Sequence, residues 1–255
     1  MKIGVFLSVR EKATRFPGKV LKVIHGRTVT EILASRLALA GGIDAHVIAT
    51  SSDPRDDVFD SLGAKVNYAV FHGSRADKLL RYRDACLAHG LDACIVVDGD
   101  DILCFPEYVD RVAARLRQGD CDVVFCRDIP LGAAASGLTL AALDKVIALK
   151  DEEDTEVWGG YFTRPGLFRV AYLDPFDPLL AHPEIRMTLD YEEDLRFLEA
   201  VFDAFGQTRP DFSSLELMDL LVNRRPDIPA LCAGAQEKFL NHIQKTAPVR
   251  FKDNS

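Results

Sequence analysis

The chain has 255 residues, of which 48% are hydrophobic, enough to bury a sizeable core and too apolar for an intrinsically disordered chain. Its 31 basic and 39 acidic residues leave a formal net charge of -8. That balance argues against a nucleic-acid binder, whose affinity rests on cations replacing condensed counterions, and against docking on an anionic membrane. A total charge says nothing about where the charges sit, so a local basic site remains open.

The first predicted element is a buried strand over Ile3 to Val9, ended by a charged loop. A helix follows from Thr28 to Leu39, with Val29, Ile32, Leu33 and Leu37 at helical spacing and Gly41-Gly42 as its stop. Ala45 to Ala49 reads as the second strand, Asp53-Pro54 opens a helix, and Lys65 to Phe71 reads as the third strand. Next come a helix over Ala76 to His89 and a strand over Ala93 to Val97 that runs straight into Asp98-Gly99-Asp100-Asp101. Pro106 to Arg117 is helical, Asp122 to Cys126 a strand and Leu140 to Leu149 a helix. This alternation of strand and helix predicts a largely parallel sheet with helices on both faces, in one domain spanning 1-255. The stretch 151-183, acidic and then rich in Gly, Pro and aromatics, breaks the rhythm and reads as an inserted lid or dimer-contact excursion. Arg186 to Asp190 returns as a short strand, Glu192 to Phe202 as a helix, and Ser213 to Arg224 as a further apolar helix.

Six cysteines, Cys86, Cys94, Cys104, Cys121, Cys126 and Cys232, make no CxxC pair, so neither a zinc ribbon nor a thioredoxin-like site is written here, and a structural role is expected for all six. The six histidines share no metal-ligand spacing. No basic-then-apolar leader and no run of about 18 apolar residues stands out, which predicts a cytoplasmic protein without a membrane partner.

In parallel α/β sheets, ligands bind beyond the carboxyl ends of the strands, which directs attention to two loops. After the first strand, Arg10, Lys12, Arg15, Lys19, Lys22 and Arg27 place six cations within 18 residues, against the single acid Glu11. Arginine suits bidentate phosphate contacts and lysine supplies a mobile point charge, so the loop reads as a polyphosphate site or, on charge alone, a solvated basic loop. It contains no GxxxxGK[ST] and is not a P-loop. After the fourth strand, the Asp98-Gly99-Asp100-Asp101 carboxylates need a cation or other partners, and magnesium held by one or two acids plus substrate phosphates is the usual arrangement. At least one of them is expected to be structural, with Asp98 or Asp101 capping the next segment. In Arg186-Met187-Thr188-Leu189-Asp190-Tyr191-Glu192-Glu193-Asp194, the Asp190 side chain is open to two roles, N-cap of the following helix or metal ligand.

These segments carry a family resemblance. SVREKATRFPGKVLKVIHGR, then IATSSDPRDD, HGSRADKLLRYRDAC, VVDGDD and RMTLDYEEDL resemble, in order and spacing from residue 1 to about 205, the sugar nucleotidylyltransferases. The likeness is to their cytidylyltransferase branch, typified by spore coat polysaccharide biosynthesis protein F, CMP-Kdo synthetase and acylneuraminate cytidylyltransferase. The resemblance implies a three-layer α/β/α nucleotide-diphospho-sugar transferase (GT-A-like) fold with a mostly parallel mixed sheet. It implies CTP over the first loop, Mg2+ at the acids, and a sugar acid or sugar phosphate as the CMP acceptor. By position, Arg10, Arg15 and Lys19 would hold the triphosphate, with Arg15 and Lys19 following the charge on departing pyrophosphate. Asp100 and Asp190 would be the metal ligands, and Gly73, Asp77 and Arg81 would shape or contact the nucleotide pocket. Glu156 would lie at the acceptor, where relatives have a Glu-His pair and this chain has Val157 in place of the histidine. Lys12 and Ala13 stand where the family loop commonly has small Gly and Ser. Relatives are commonly dimers, so a homodimer is expected, with Trp158 and Tyr161 as candidate contacts. Two alternatives stay open: a GT-A-type glycosyltransferase using Asp98-Gly99-Asp100 as its DxD, and a non-catalytic nucleotide-binding relative.

Overall fold

The computed structural model describes residues 1–13, 15–206, 210–243 and 249–252, the side chains of 240–243 excepted. In chain order the elements open with β1 (Ile3–Ser8), a small hairpin of β2 (Val23–Ile24) and β3 (Arg27–Thr28), and α1 (Val29–Leu37). They continue with β4 (Ala45–Ser51), α2 (Val58–Val66), β5 (Ala69–Gly73), α3 (Lys78–His89), β6 (Ala93–Asp98) and α4 (Pro106–Arg117). The second half holds β7 (Val123–Cys126), β8 (Ser136–Thr139), α5 (Leu140–Leu149), β9 (Val170–Leu173), α6 (Glu192–Ala204), α7 (Ser214–Asp219) and α8 (Ala233–Ile243).

Seven strands form one sheet in the order β5-β4-β1-β6-β8-β7-β9. β1 is buried along its whole length and pairs in parallel with β4 and β6. Only β8 runs antiparallel, between β6 and β7, which makes the sheet mixed. Alternation along β1 sends Ile3, Val5 and Leu7 into a core shared with α1, α2 and α4, and Phe6 into the opposite core with α3 and α5. A third cluster, built on Met187, Leu189, Phe197 and Phe202, joins the C-terminal helices to the residues after β6. The caps explain several helix starts: Thr28 and Glu31 form a capping box at α1, Thr139 caps α5, and Ser213 with Glu216 caps α7. All six cysteines are free, five of them buried.

Three sequence expectations are corrected. Lys65 and Val66 finish α2, whose apolar face Phe59, Leu62 and Gly63 continues to that point; the chain then turns at left-handed Asn67, so the strand begins at Ala69. Arg186 to Asp190 is no strand: Arg186 makes one parallel bridge with Leu131, and the residues after it run on as an irregular buried segment. Within 151-183, Trp158 and Tyr161 belong to the core of their own chain, the indole packing on Tyr82, Phe125 and Phe162, so neither ring is available to a partner. The same stretch returns to the sheet through β9, which pairs in parallel with β7.

Candidate active site

The carboxyl ends of β1 and β6 lie side by side, because Ser8 and Asp98 are paired across the two strands. The loops that leave them are tied where they start, Gly99 N–H donating to the Ser8 carbonyl at 2.8 Å. The basic loop then turns at Gly18, whose φ of 66° lies in the left-handed region, into a short 3-10 turn beginning with Lys19. On the other side, the Leu189 N–H donates to the Asp100 carbonyl at 2.9 Å, bringing the DYEED segment against the loop after β6. Three sequence-distant segments therefore meet at one point.

There Lys19, only 9% exposed, directs Nζ at Asp100 Oδ2 and at Asp190 Oδ1, the latter 2.8 Å away. Arg15 donates to the same Asp190 oxygen through Nη2 and through Nε at 3.2 Å. Arg186 donates to the other oxygen at 2.9 Å. Asp190 is 1% exposed and meets three cations. Burial pushes its pKa up, but Lys19 and Arg15 outweigh that and hold the carboxylate well below the usual range. Burial likewise works against the Lys19 ammonium, and the Asp100 and Asp190 charges overcome it, so the pKa of Lys19 is raised. Asp100 moves up, through burial, with the Asp98 and Asp190 charges adding to it and Lys19 opposing.

The two roles open to Asp190 are separated by its neighbour. The Asp194 carboxylate accepts the backbone N–H groups of Asp190 and Tyr191 at 2.8 and 2.9 Å, so Asp194 serves the start of α6. Arg186 locks Asp194 in place with bonds of 2.9 and 3.1 Å. The Asp190 side chain faces the basic loop instead. Burial, together with Asp100 and Asp98, drives the pKa of Asp101 well up, and Thr188 is its hydrogen-bond partner. Neither Asp98 nor Asp101 caps α4, whose N-cap residue is Phe105.

A second cluster lies on the other side of Asp98. Lys78 Nζ sits 3.0 Å from Asp98 Oδ1 and 3.5 Å from Glu156 Oε1, and Arg10 pairs with Glu156 Oε2. Burial opposes both the Lys78 ammonium and the Glu156 carboxylate, yet the surrounding opposite charges win, raising Lys78 and lowering Glu156. Arg10 also donates to the Arg75 carbonyl at 2.9 Å. Arg81 is fully buried and grips the Ser74 carbonyl at 2.7 and 3.0 Å, shaping the loop after β5. Gly73 belongs to the same packing, since a Cβ there would come within 2.7 Å of Arg81 Cγ.

Of the residues singled out in the sequence, Arg15, Lys19, Asp100 and Asp190 come together, and Arg10 and Glu156 form a pair beside them. Asp77 faces elsewhere: it caps α3 through Leu80 N–H at 3.1 Å, pairs with buried Lys150 at 2.5 Å and accepts from Thr155 at 3.0 Å. The other loop cations divide: Arg27 binds back onto α1, Lys22 lies over the Phe16 ring, and Lys12 is exposed. Sequence reasoning passed over Lys78, Arg186 and Asp194. Arg186, Asp190 and Asp194 recur every four residues, a spacing that could have signalled one interlocked unit.

Asp100 and Asp190 converge on a single ammonium, an arrangement that suits a divalent cation. Two carboxylates held by separate segments already share one positive charge, and a hard ion with oxygen ligands suits that donor set. Asp98 has its own cationic partner in Lys78, distinct from the Lys19 that Asp100 and Asp190 share.

A mostly parallel mixed sheet with flanking helices, a basic loop after its first strand and acids after its fourth define a CTP-dependent nucleotidyltransferase once the relatives are set beside it. A cytidylyltransferase family model matches residues 5–154. The chain is 31% identical over 229 residues to the spore coat polysaccharide biosynthesis protein SpsF of Bacillus subtilis (strain 168), covering 87% of this chain and 94% of that one. Its fold matches a cytidylyltransferase from Leptospira borgpetersenii with a TM-score of 0.82 at 22% identity, over 89% of this chain and 96% of the other. A CMP:2-keto-3-deoxy-manno-octonic acid synthetase complexed with CTP superimposes with a TM-score of 0.63 at 14% identity, over 80% of this chain and all of that one. The chain belongs to the cytidylyltransferase family. Among the described residues, no helix is long and apolar enough to cross a membrane.

Proposed function

We propose that the protein transfers CMP from CTP to an oxygen of a sugar acid or sugar phosphate and releases pyrophosphate, with Mg2+ held by Asp100 and Asp190. The observation that carries this reading is the meeting of Arg15 and Lys19 with those two carboxylates at the adjoining ends of β1 and β6. The names of the relatives, one in polysaccharide biosynthesis and one a synthetase of a CMP-linked sugar acid, support an activated-sugar product.

In this scheme the acceptor oxygen forms a bond to the α-phosphorus as the bond to the bridging oxygen breaks, and the electron pair leaves on pyrophosphate. The demand on the protein is positioning and charge neutralisation. Bound at the two aspartates, a magnesium ion supplies Lewis acidity toward phosphate oxygens. Arg15 and Lys19, released from Asp190 when the nucleotide enters, follow the charge onto the leaving group. Arg186 stays buried and keeps Asp190 aimed. Glu156 and Lys78 stand at the acceptor side, where Arg10 links them to the first loop. Arg10 and Arg81, by holding the carbonyls of residues 74 and 75, set the wall of the nucleotide pocket.

A pyrophosphate-release screen of CTP, UTP, ATP and GTP against sugar acids and sugar phosphates tests the reading. Release with CTP and one acceptor class supports it. Release of nucleoside diphosphate from a nucleotide sugar with no pyrophosphate release from CTP, or binding of CTP without turnover on any acceptor, defeats it.

A further inference from the structure

We infer that α8, which lies beyond the segment matched by the family model, supplies Phe239 and Gln236 as positioning residues for the arginines at the phosphate end of the site. This inference rests on reading the Arg15–Asp190 cluster as the triphosphate site. The Phe239 ring centroid lies 4.9 Å from the Arg186 guanidinium carbon and 5.8 Å from that of Arg15, so one ring serves both arginines that hold Asp190. Gln236 Oε1 accepts from Arg186 Nη1 at 3.2 Å, the one nitrogen of that guanidinium not bonded to Asp190 or Asp194. Helix α8 is fixed by buried Ala235, by buried Cys232 in the turn that precedes it, and by the Lys238–Glu193 ion pair to α6.

The physical need is specific. Arg15, Lys19 and Arg186 crowd onto one carboxylate and repel each other. The electron-rich face of an aromatic ring eases the approach of two guanidinium groups without adding a formal charge that would compete for the phosphates. Arg186 is nearly buried and permanently engaged, whereas the Arg15 side chain is 26% exposed on a loop and must turn to the nucleotide. Phe239 narrows the positions available to Arg15 before CTP arrives, lowering the ordering cost of binding.

The test is calorimetric CTP affinity in Mg2+, with steady-state kinetics, for the full chain. Phe239→Leu keeps an apolar side chain but removes the ring. It is expected to weaken CTP binding and raise KM for CTP by about fivefold, with kcat within about twofold, while Phe239→Tyr behaves as wild type. In an Arg15→Met background the Phe239→Leu change should have no further effect, and Gln236→Met should weaken binding in the same direction as Phe239→Leu. Unchanged affinity in Phe239→Leu, an equal loss in Phe239→Tyr, or full additivity with Arg15→Met would overturn the inference. If Arg15→Met itself leaves CTP affinity unchanged, the reading of the triphosphate site fails instead.

Discussion

The Asp194 carboxylate accepts the backbone N–H of Asp190 at 2.8 Å, and this contact frees the Asp190 side chain from the helix it precedes. An aspartate just before a helix ordinarily caps it. Here the cap comes from four residues further on, and the Asp190 carboxylate turns instead to Arg15, Lys19 and Arg186.

The two acids should therefore fail differently when changed. Asp190→Asn is expected to lower turnover by about a hundredfold or more, with a smaller cost in stability because Lys19 keeps Asp100 and Arg186 keeps Asp194. Asp194→Ala takes away one of the two carboxylates on buried Arg186 and the acceptor for the Asp190 and Tyr191 N–H groups, and should destabilise the fold by about 3–5 kcal/mol in urea unfolding. Equal losses of stability in both variants would contradict this division.

Lys19 occupies the point where Asp100 and Asp190 converge, so its removal should expose their mutual repulsion. Lys19→Met is expected to lower Tm in EDTA, and millimolar Mg2+ should restore more of that loss than it adds to the wild type. Pyrophosphate release should still fall about a hundredfold, because the cation proposed to follow the leaving group is gone. A metal-free Tm equal to wild type would remove the shared-cation account.

Glu156 joins Arg10 to Lys78, and the proposed function puts this pair of contacts at the acceptor. Glu156→Gln is expected to raise KM for the acceptor about tenfold and to alter KM for CTP by less than about twofold, judged against charged hydrogen bonds of about 1.5–3 kcal/mol. A larger effect on CTP than on the acceptor would move Glu156 to the nucleotide side.

Asp77 spends its carboxylate on the α3 cap and on Lys150. Asp77→Ala should cost about 3 kcal/mol of stability, a cap together with an uncompensated buried lysine, while KM for CTP in the folded fraction stays near wild type. Loss of CTP affinity at unchanged Tm would return Asp77 to the site.

His72 offers a pH test away from the site. Its ring nitrogens face the Ser51 carbonyl at 3.1 Å and Asp60 at 2.8 Å; burial opposes the charged ring, yet these acceptors raise its pKa above 6.5. A raised folded pKa means that its stabilisation is fully present below the unfolded pKa and disappears as pH rises through the folded one. The Tm difference between wild type and His72→Gln should thus be largest near pH 5.5 and vanish toward pH 9, both about one to three units from the ordinary histidine value. A difference that grows with pH would reverse the assignment.

The sequence by itself determined the alternation of β1, α1, β4 and their successors, because buried parallel strands and capped amphipathic helices each leave a local pattern. It also determined which loops were chemically unusual: six cations between Arg10 and Arg27, and carboxylates where a strand ends at Asp98. Resemblance along the chain pointed to Lys19, Asp100 and Asp190 separately. Only the tertiary structure decided that one ammonium bridges both acids, that Asp194 takes over the cap, that Asp77 faces inward, and that Trp158 and Tyr161 fill their own core. The Asp194 cap is local, but the other outcomes depend on partners far away in sequence, such as Leu189 on Asp100 and Lys150 on Asp77. A side chain's charge is written locally, but its role depends on which opposite charge the fold brings within hydrogen-bonding reach.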